Sequence, residues 1–523
     1  MGPINPPRNG EGDRSKSGGG GPQTLQSSTV GPLRQPRIKS GAATSGRVGP
    51  SGGRSASGRS FRGGFLTFAL ALGIASPLSA QTIAITNGTL VTGDGSDPIR
   101  GGTVVVRNGR VVAAGPNVSV PGGAEVIDAN GKWVTPGIVA GFSRLGLAEV
   151  DLGADGSDDT ETDGSPFSAA IDVTPGINPK ASTIAVSRAD GVTRAVVAPV
   201  AGRSIFGGQG AVIDTGDDMD PILRSRAFQF VELGETGAGK AGGSRTSAFV
   251  LFRNALREAR ELGGLRQQPL TGRQPIEPQI AEIPYEERPD PVLLTRQAQR
   301  SEDVLLTRFD AAALVPVVRG RQLLLVHVER AKDILNVLDL RREFPSLRIA
   351  LVGVTEGWLV ADQIRESGVW VIASALNDLP ASFEMLAATQ SNVGRMRSAG
   401  VKVAIGMIDD NDTRYVRNQR QYAGNLVALG KVPGAAGVSW GEAFAMISSR
   451  PAEAVGLGRE IGSLAAGRRG DVVIWSGDPL ELDSAPEAVW IDGVRQPLDN
   501  HQTRLRDRYR SLERKALPEA YRK

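Results

Sequence analysis

Residues 322–354 read QLLLVHVERAKDILNVLDLRREFPSLRIALVGV. Two near-continuous apolar runs, QLLLVHVE and RIALVGV, flank a stretch with helical spacing, AKDILNVLDLRREF. Strands buried on both faces have this composition, and a strand–helix–strand unit of this size joins parallel neighbours. VTRAVVAPVAG lies before the unit, and VWVIAS and VKVAIGM come after it, with the helical GWLVADQIRES between RIALVGV and VWVIAS. Roughly 300 residues of such alternation suit an α/β fold of the (β/α)8, TIM-like type, expected over residues 135–460. An open, doubly wound sheet is the competing arrangement.

Both flanks of this region read differently. Residues 81–134 hold short β-type segments cut by Asn87-Gly88, Asn108-Gly109 and Asn130-Gly131. Each pair predicts a type I′ hairpin, because both central residues of that turn need positive φ. At the other end, GSLAAGRRGDVVIWSGDP and AVWIDGVRQP repeat the pattern within residues 461–500. The two segments are expected to combine into one small composite β-sandwich.

Composition bounds the function. The chain is 40% hydrophobic and 22% charged, as soluble globular proteins are. Ten of its basic and two of its acidic residues fall in the first eighty, leaving a net charge of about −4 on the remainder. A nucleic-acid surface is therefore not expected. Residues 1–58 are rich in Gly, Ser, Pro and Arg and are expected to be disordered. Residues 59–80 place Arg59 and Arg62 before the apolar run Phe65–Leu78 and a small-residue exit at Ala80. That is the layout of a secretory signal, too short for a membrane span, and predicts a periplasmic or secreted protein with no integral membrane segment in the mature chain. A start codon assigned too far upstream would account for the residues that precede it. Residues 149–164 carry an acidic loop in which Asp159, Glu161 and Asp163 lack the glutamate of a calcium loop, Ala170 standing at its twelfth position. Residues 262–300 read as an insertion rich in Pro and Gln. Residues 501–523 read as a charged, helical tail, with Leu505, Tyr509 and Leu512 on one stripe that could dock on the barrel or on a second subunit.

The inventory of chemical groups is narrow: there is no cysteine, and the histidines are His327 and His501. A thiolate or histidine-rich binuclear metal site cannot be built from it. In a strand, Leu325, His327 and Glu329 share one face, and at the C-terminal mouth of a barrel that face meets the cavity. His327 and Glu329 are thus candidates for general-base or ligand roles, with a hydrogen-bonded core histidine as the structural alternative. Asp409, Asp410 and Asp412 crowd the end of the last apolar run, where surface solvation competes with a catalytic role for Asp409.

Four strings together resemble the amidohydrolase superfamily, in particular its exported, imidazolonepropionase-related branch. They are ITNGTLVTGDG through NGKWVTPGIV, INPKASTIAVSRADGVTRAVVAPVAGRSIFGGQGAVI, LLLVHVERAKDIL, and PAEAVGLGREIGSLAAGRRGDVVIWSGDPL, covering roughly residues 83–500. The resemblance implies a metal-dependent hydrolase of non-peptide C–N bonds in cyclic amides or dipeptide-like substrates, using zinc or another divalent ion. Its residues transfer poorly. The paired strand-one histidines of the family fall on Phe142 and Arg144, the strand-eight aspartate on Ile408, and Gly353 stands near the strand-six histidine; the strand-five histidine falls on His327. No bound metal or other cofactor is therefore expected. Arg144 becomes a candidate for binding a carboxylate on a small-molecule ligand. Two functions remain open: a hydrolase impaired in the usual mechanism, or a catalytically inactive ligand-binding or partner subunit, as a homo-oligomer or beside an active relative.

Overall fold

The computed structural model describes residues 82–149, 158–162, 164–265, 305–375, 377–408 and 416–510. The segments 1–58 and 59–80, most of the 262–300 insertion, Asp409 with Asp410 and Asp412, and the tail beyond 510 lie outside the described residues.

Strands from both ends of this region build one sheet. The near end gives β1 (Thr82–Leu90), β2 (Ile99–Arg107), β3 (Arg110–Gly115), β4 (Glu125–Asp128) and β5 (Trp133–Pro136). The far end gives β14 (Val472–Trp475), β15 (Pro486–Ile491) and β16 (Val494–Arg495). The order is β16-β15-β14-β5-β1-β2-β3, with β4 paired to β1 alone. The three Asn-Gly pairs behave differently from one another. Asn108 and Gly109 take positive φ and close the β2–β3 hairpin as expected. Asn87 instead sits inside β1, where the pairing with β2 slips between Ile85 and Gly88. This is a bulge; it lets one edge of β1 serve β4 over its first half and β5 over its second. Asn130 and Gly131, also at positive φ, link those two parallel strands without pairing them. The expected sandwich is thus a single sheet that branches at β1 and closes over Ile83, Ile85, Val104, Val106, Val134, Ile474 and Trp490.

The central region is mixed α/β. Its sheet contains β6 (Ile138–Ser143), β7 (Val192–Val197), β8 (Phe206–Asp214), β9 (Ile222–Glu232), β10 (Leu323–Val328), β11 (Arg348–Gly353), β12 (Trp370–Ala373) and β13 (Lys402–Ile405), neighbours in chain order. The first and last strands meet, Met407 N–H donating to the Phe142 carbonyl at 3.1 Å. Nearby, Ile405 N–H and Val139 N–H donate to the carbonyls of Met446 and Ile447, so one segment spans the seam. The sheet is therefore nearly closed and barrel-like, which sets aside the open, doubly wound alternative. It departs from a strict (β/α)8 pattern at β8, which is antiparallel to both β7 and β9. The connections 198–205 and 215–221 are too short to hold the crossover that a parallel pair requires. Gly210 lies directly under the Phe228 ring, where a side chain would collide with it.

Residues from all eight strands meet inside the sheet: Val139 and Phe142, Val196, Val212, Phe228 and Phe230, Leu325, Val352, Ile372 and Ala404 belong to one buried cluster. The branched sheet joins the barrel-like sheet through Trp475, whose indole N–H donates to Thr135 Oγ1 at 2.9 Å and whose ring covers Gly191. Fully buried Arg194 on β7 makes the second join, to Asp471 (2.7 Å), Asp492 (3.0 Å) and Asp214 (3.2 Å).

The C-terminal helix His501–Tyr509 starts on a capping box of Asn500 and Thr503; of the expected stripe, Leu505 is half-buried and Tyr509 exposed.

Candidate functional site

Inward-facing alternation carries two polar residues to the mouth of the sheet. On β9 the series Phe228, Phe230 ends at Glu232, and on β10 the series Leu323, Leu325 ends at His327, which pairs in register with Glu232. His327 Nδ1 lies 2.7 Å from Glu232 Oε1, and its Nε2 lies 2.9 Å from Glu329 Oε1. Each ring nitrogen faces a carboxylate oxygen, an arrangement that favours the doubly protonated, imidazolium ring. Burial opposes that charge, but the two glutamates outweigh it and hold His327 well above the usual imidazole range.

Glu329 is itself fixed by a strained turn. Gly353 and Val354 both take positive φ (85° and 59°), the latter an uncommon conformation for a β-branched residue. The turn aims Thr355 N–H at Glu329 Oε2, 2.7 Å away, and Asn377 Nδ2 braces the Thr355 hydroxyl at 3.0 Å. Backbone strain of this kind concentrates at functional sites and is retained only where surrounding contacts enforce it. A Cβ at Gly353 would also run into the Glu329 carboxylate. Gly353→Ala should therefore cost about 2 kcal/mol of stability, read from urea midpoints, and should displace Glu329 from His327. A variant as stable as the parent would show that the turn carries no strain.

Behind Glu232, a second acidic layer faces the same histidine. Glu384 accepts from Glu235 N–H (2.7 Å) and from Arg245 Nη2 (3.1 Å), while Arg245 Nε is 2.9 Å from Asp333. Burial pushes the Glu384 carboxyl up; Glu235 N–H, Arg245 and His327 pull the other way.

The remaining sequence candidates are distributed around this triad. Phe142, 1% exposed, fills the barrel interior with its ring 5.6 Å from that of Phe230. Arg144, 7% exposed, lies with its guanidinium carbon 5.9 Å from the Phe142 ring centre. Ile408 packs against the same interior cluster. Asp409 lies outside the described residues. Glu232 and Glu384 were not among the sequence candidates. For Glu232 a signal existed: period two from Phe228 and Phe230 points it to the mouth.

The donor set does not fit the divalent ion that the resemblance implies. A metal-bound histidine needs a nitrogen lone pair, and both nitrogens of His327 are turned to carboxylates. Phe142 and Arg144 offer no ligand atom for a cation. Among the described residues no group of three or more His, Cys, Asp or Glu side chains is arranged to hold a metal ion.

Comparison with known proteins agrees with the architecture. A family model described as "Amidohydrolase family" matches residues 361–495, the region from the helix after β11 to the return of the chain into the branched sheet. Imidazolonepropionase of Acidiphilium cryptum is 26% identical over 400 residues, covering 73% of this chain and 89% of that protein. The chain is similar to proteins of the amidohydrolase superfamily. Amidohydrolase tasK of Hapsidospora irregularis is 25% identical over 411 residues; the match covers 73% of this chain and 38% of tasK. An amidohydrolase structure from Thermotoga maritima MSB8 shares the fold, with a TM-score of 0.64 and 23% identity over 79% of this chain and 99% of that one. No helix among the described residues is long and apolar enough to cross a membrane.

Proposed function

We propose that this chain is a member of the C–N hydrolase lineage, acting on cyclic amide or dipeptide-like substrates by descent, in which the usual metal-dependent mechanism is impaired. The observation that carries this reading is the Glu232–His327–Glu329 triad: the one histidine at the mouth has spent both ring nitrogens on carboxylates. The cation at the mouth is then a proton on His327. We read the scaffold as a TIM-like barrel with one strand reversed and a composite β domain, and the protein as exported on the strength of residues 59–80.

The test uses His501→Gln, which leaves His327 as the sole histidine. Nitrogen-15 spectra of its ring at pH 7, with and without added zinc or manganese, should show two N–H groups. Hydrolysis of a panel of cyclic amides and dipeptides should not rise when metal is added. Near-stoichiometric metal that disappears in His327→Ala, together with metal-dependent turnover, would overturn the reading.

A second reading, a noncatalytic subunit beside an active relative, is favoured by one feature. The loops after β11 and β12 expose Leu359, Leu379, Phe383 and Leu386, with Leu379 and Phe383 80% and 83% exposed. Apolar groups gathered in this way mark an interaction surface. Replacing Leu379 and Phe383 by serine should abolish co-purification with an active relative expressed alongside. Undiminished co-purification would count against this reading.

A further inference from the structure

A cavity of about 230 Å3 lies between the loops after β6 and β7, the end of the helix Gly234–Lys240 and the start of the helix Arg308–Val318. Its residues are distinct from the triad, so its chemistry stands apart from the proposed function. Ile171, Phe206, Leu251 and Leu306 supply apolar lining. Two cations, Arg203 and Lys240, also line it. Lys240 Nζ donates to the Gly202 carbonyl at 2.6 Å, which fixes the loop that carries Arg203. Arg203 is exposed and is engaged by no side chain among the described residues.

The acid in the lining is already committed. Asp310 Oδ1 accepts from Ser168 N–H (2.9 Å) and Ala170 N–H (2.8 Å), and its Oδ2 from the Thr307 hydroxyl (2.6 Å). Asp310 thus ties the loop 165–170 to the helix start and builds a wall of the cavity. Two cations against this one hydrogen-bonded carboxylate leave the lining net positive.

We propose that this cavity binds a small amphipathic carboxylate, its apolar tail against Phe206 and Leu251 and its carboxylate on Arg203 and Lys240. An apolar enclosure with a few convergent polar groups is the usual form of a small-molecule site, and a guanidinium is suited to a planar carboxylate. The same electrostatics argue against an amine of equal size.

Titration calorimetry on the full chain with hexanoate, hexanamide and hexylamine tests this. Hexanoate should bind saturably, and the uncharged and cationic analogues at least about tenfold more weakly, because a hydrogen bond to a charged group is at stake. Arg203→Ala, at an exposed position, should lose about tenfold in hexanoate affinity at unchanged melting temperature, and Arg203→Lys should recover part of it. The absence of saturable hexanoate binding would overturn the assignment. So would equal binding of hexanoate and hexanamide, or equal hexanoate affinity in Arg203→Ala and the parent.

Discussion

Replacing Arg194 with alanine should destabilise the folded chain by about 3–5 kcal/mol, as removal of one partner from a buried ion pair does. Arg194 is fully buried, yet its charge is favoured: burial works against it, and Asp471, Asp492 and Asp214 together more than compensate. Asp471 accepts from both Arg194 Nε and Nη2, the paired geometry that a guanidinium offers a carboxylate. Without Arg194, Asp471 would lose its paired guanidinium bonds at the join between the two sheets. Urea unfolding of Arg194→Ala, monitored by tryptophan fluorescence, measures the loss; a shift equivalent to less than about 1 kcal/mol would show that the aspartates find other partners. Arg194→Met combined with Asp471→Leu should recover only part of the loss, because Asp214 and Asp492 are still left without the guanidinium.

His327→Ala should cost about 3 kcal/mol near neutral pH, since it leaves Glu232 and Glu329 facing each other without the cation between them. The effect carries a pH signature. His327 has its folded pKa raised above the ordinary 6.5, so the folded state binds the proton more tightly than the unfolded chain. The stabilisation is fully present below that ordinary value and is lost as pH rises through the higher folded one. The gap between parent and variant should therefore be widest near pH 6 and narrow on the alkaline side, when urea midpoints are compared across that range. A gap that widens with pH, or does not change, would mean that the ring is neutral in the folded state.

The elements that could be read from sequence are those whose burial leaves a periodic trace. VTRAVVAPVAG, QLLLVHVE, RIALVGV, VWVIAS and VKVAIGM all became strands of the barrel-like sheet, since strands covered on both faces must be apolar throughout. AKDILNVLDLRREF became the helix Ala331–Glu343. The reversal of β8 left no such trace: composition does not state strand direction, and the informative quantity was the length of the links on either side of it. Asn87 misled for a related reason. An Asn-Gly pair reports a readiness for positive φ, which a bulge uses as well as a hairpin does. At the mouth, His327 and Glu329 could be read from strand alternation, but the contact of His327 with Glu232 could not. Glu232 is separated from His327 by 95 residues, and only the parallel pairing of β9 with β10 brings them together.

The branched sheet imposes an order on the life of the chain. Strand β5 has β14 as its neighbour, and Thr135 is 340 residues away from the tryptophan that binds it. During synthesis the first strands therefore wait for almost the whole protein to emerge before their second edge is covered. Pairing over such a separation is slow, and it leaves unpaired strand edges exposed in the meantime. A ribosome-bound chain ending before Val472 should be sensitive to protease throughout β1–β5, and release of the last fifty residues should protect both ends of the sheet in a single step.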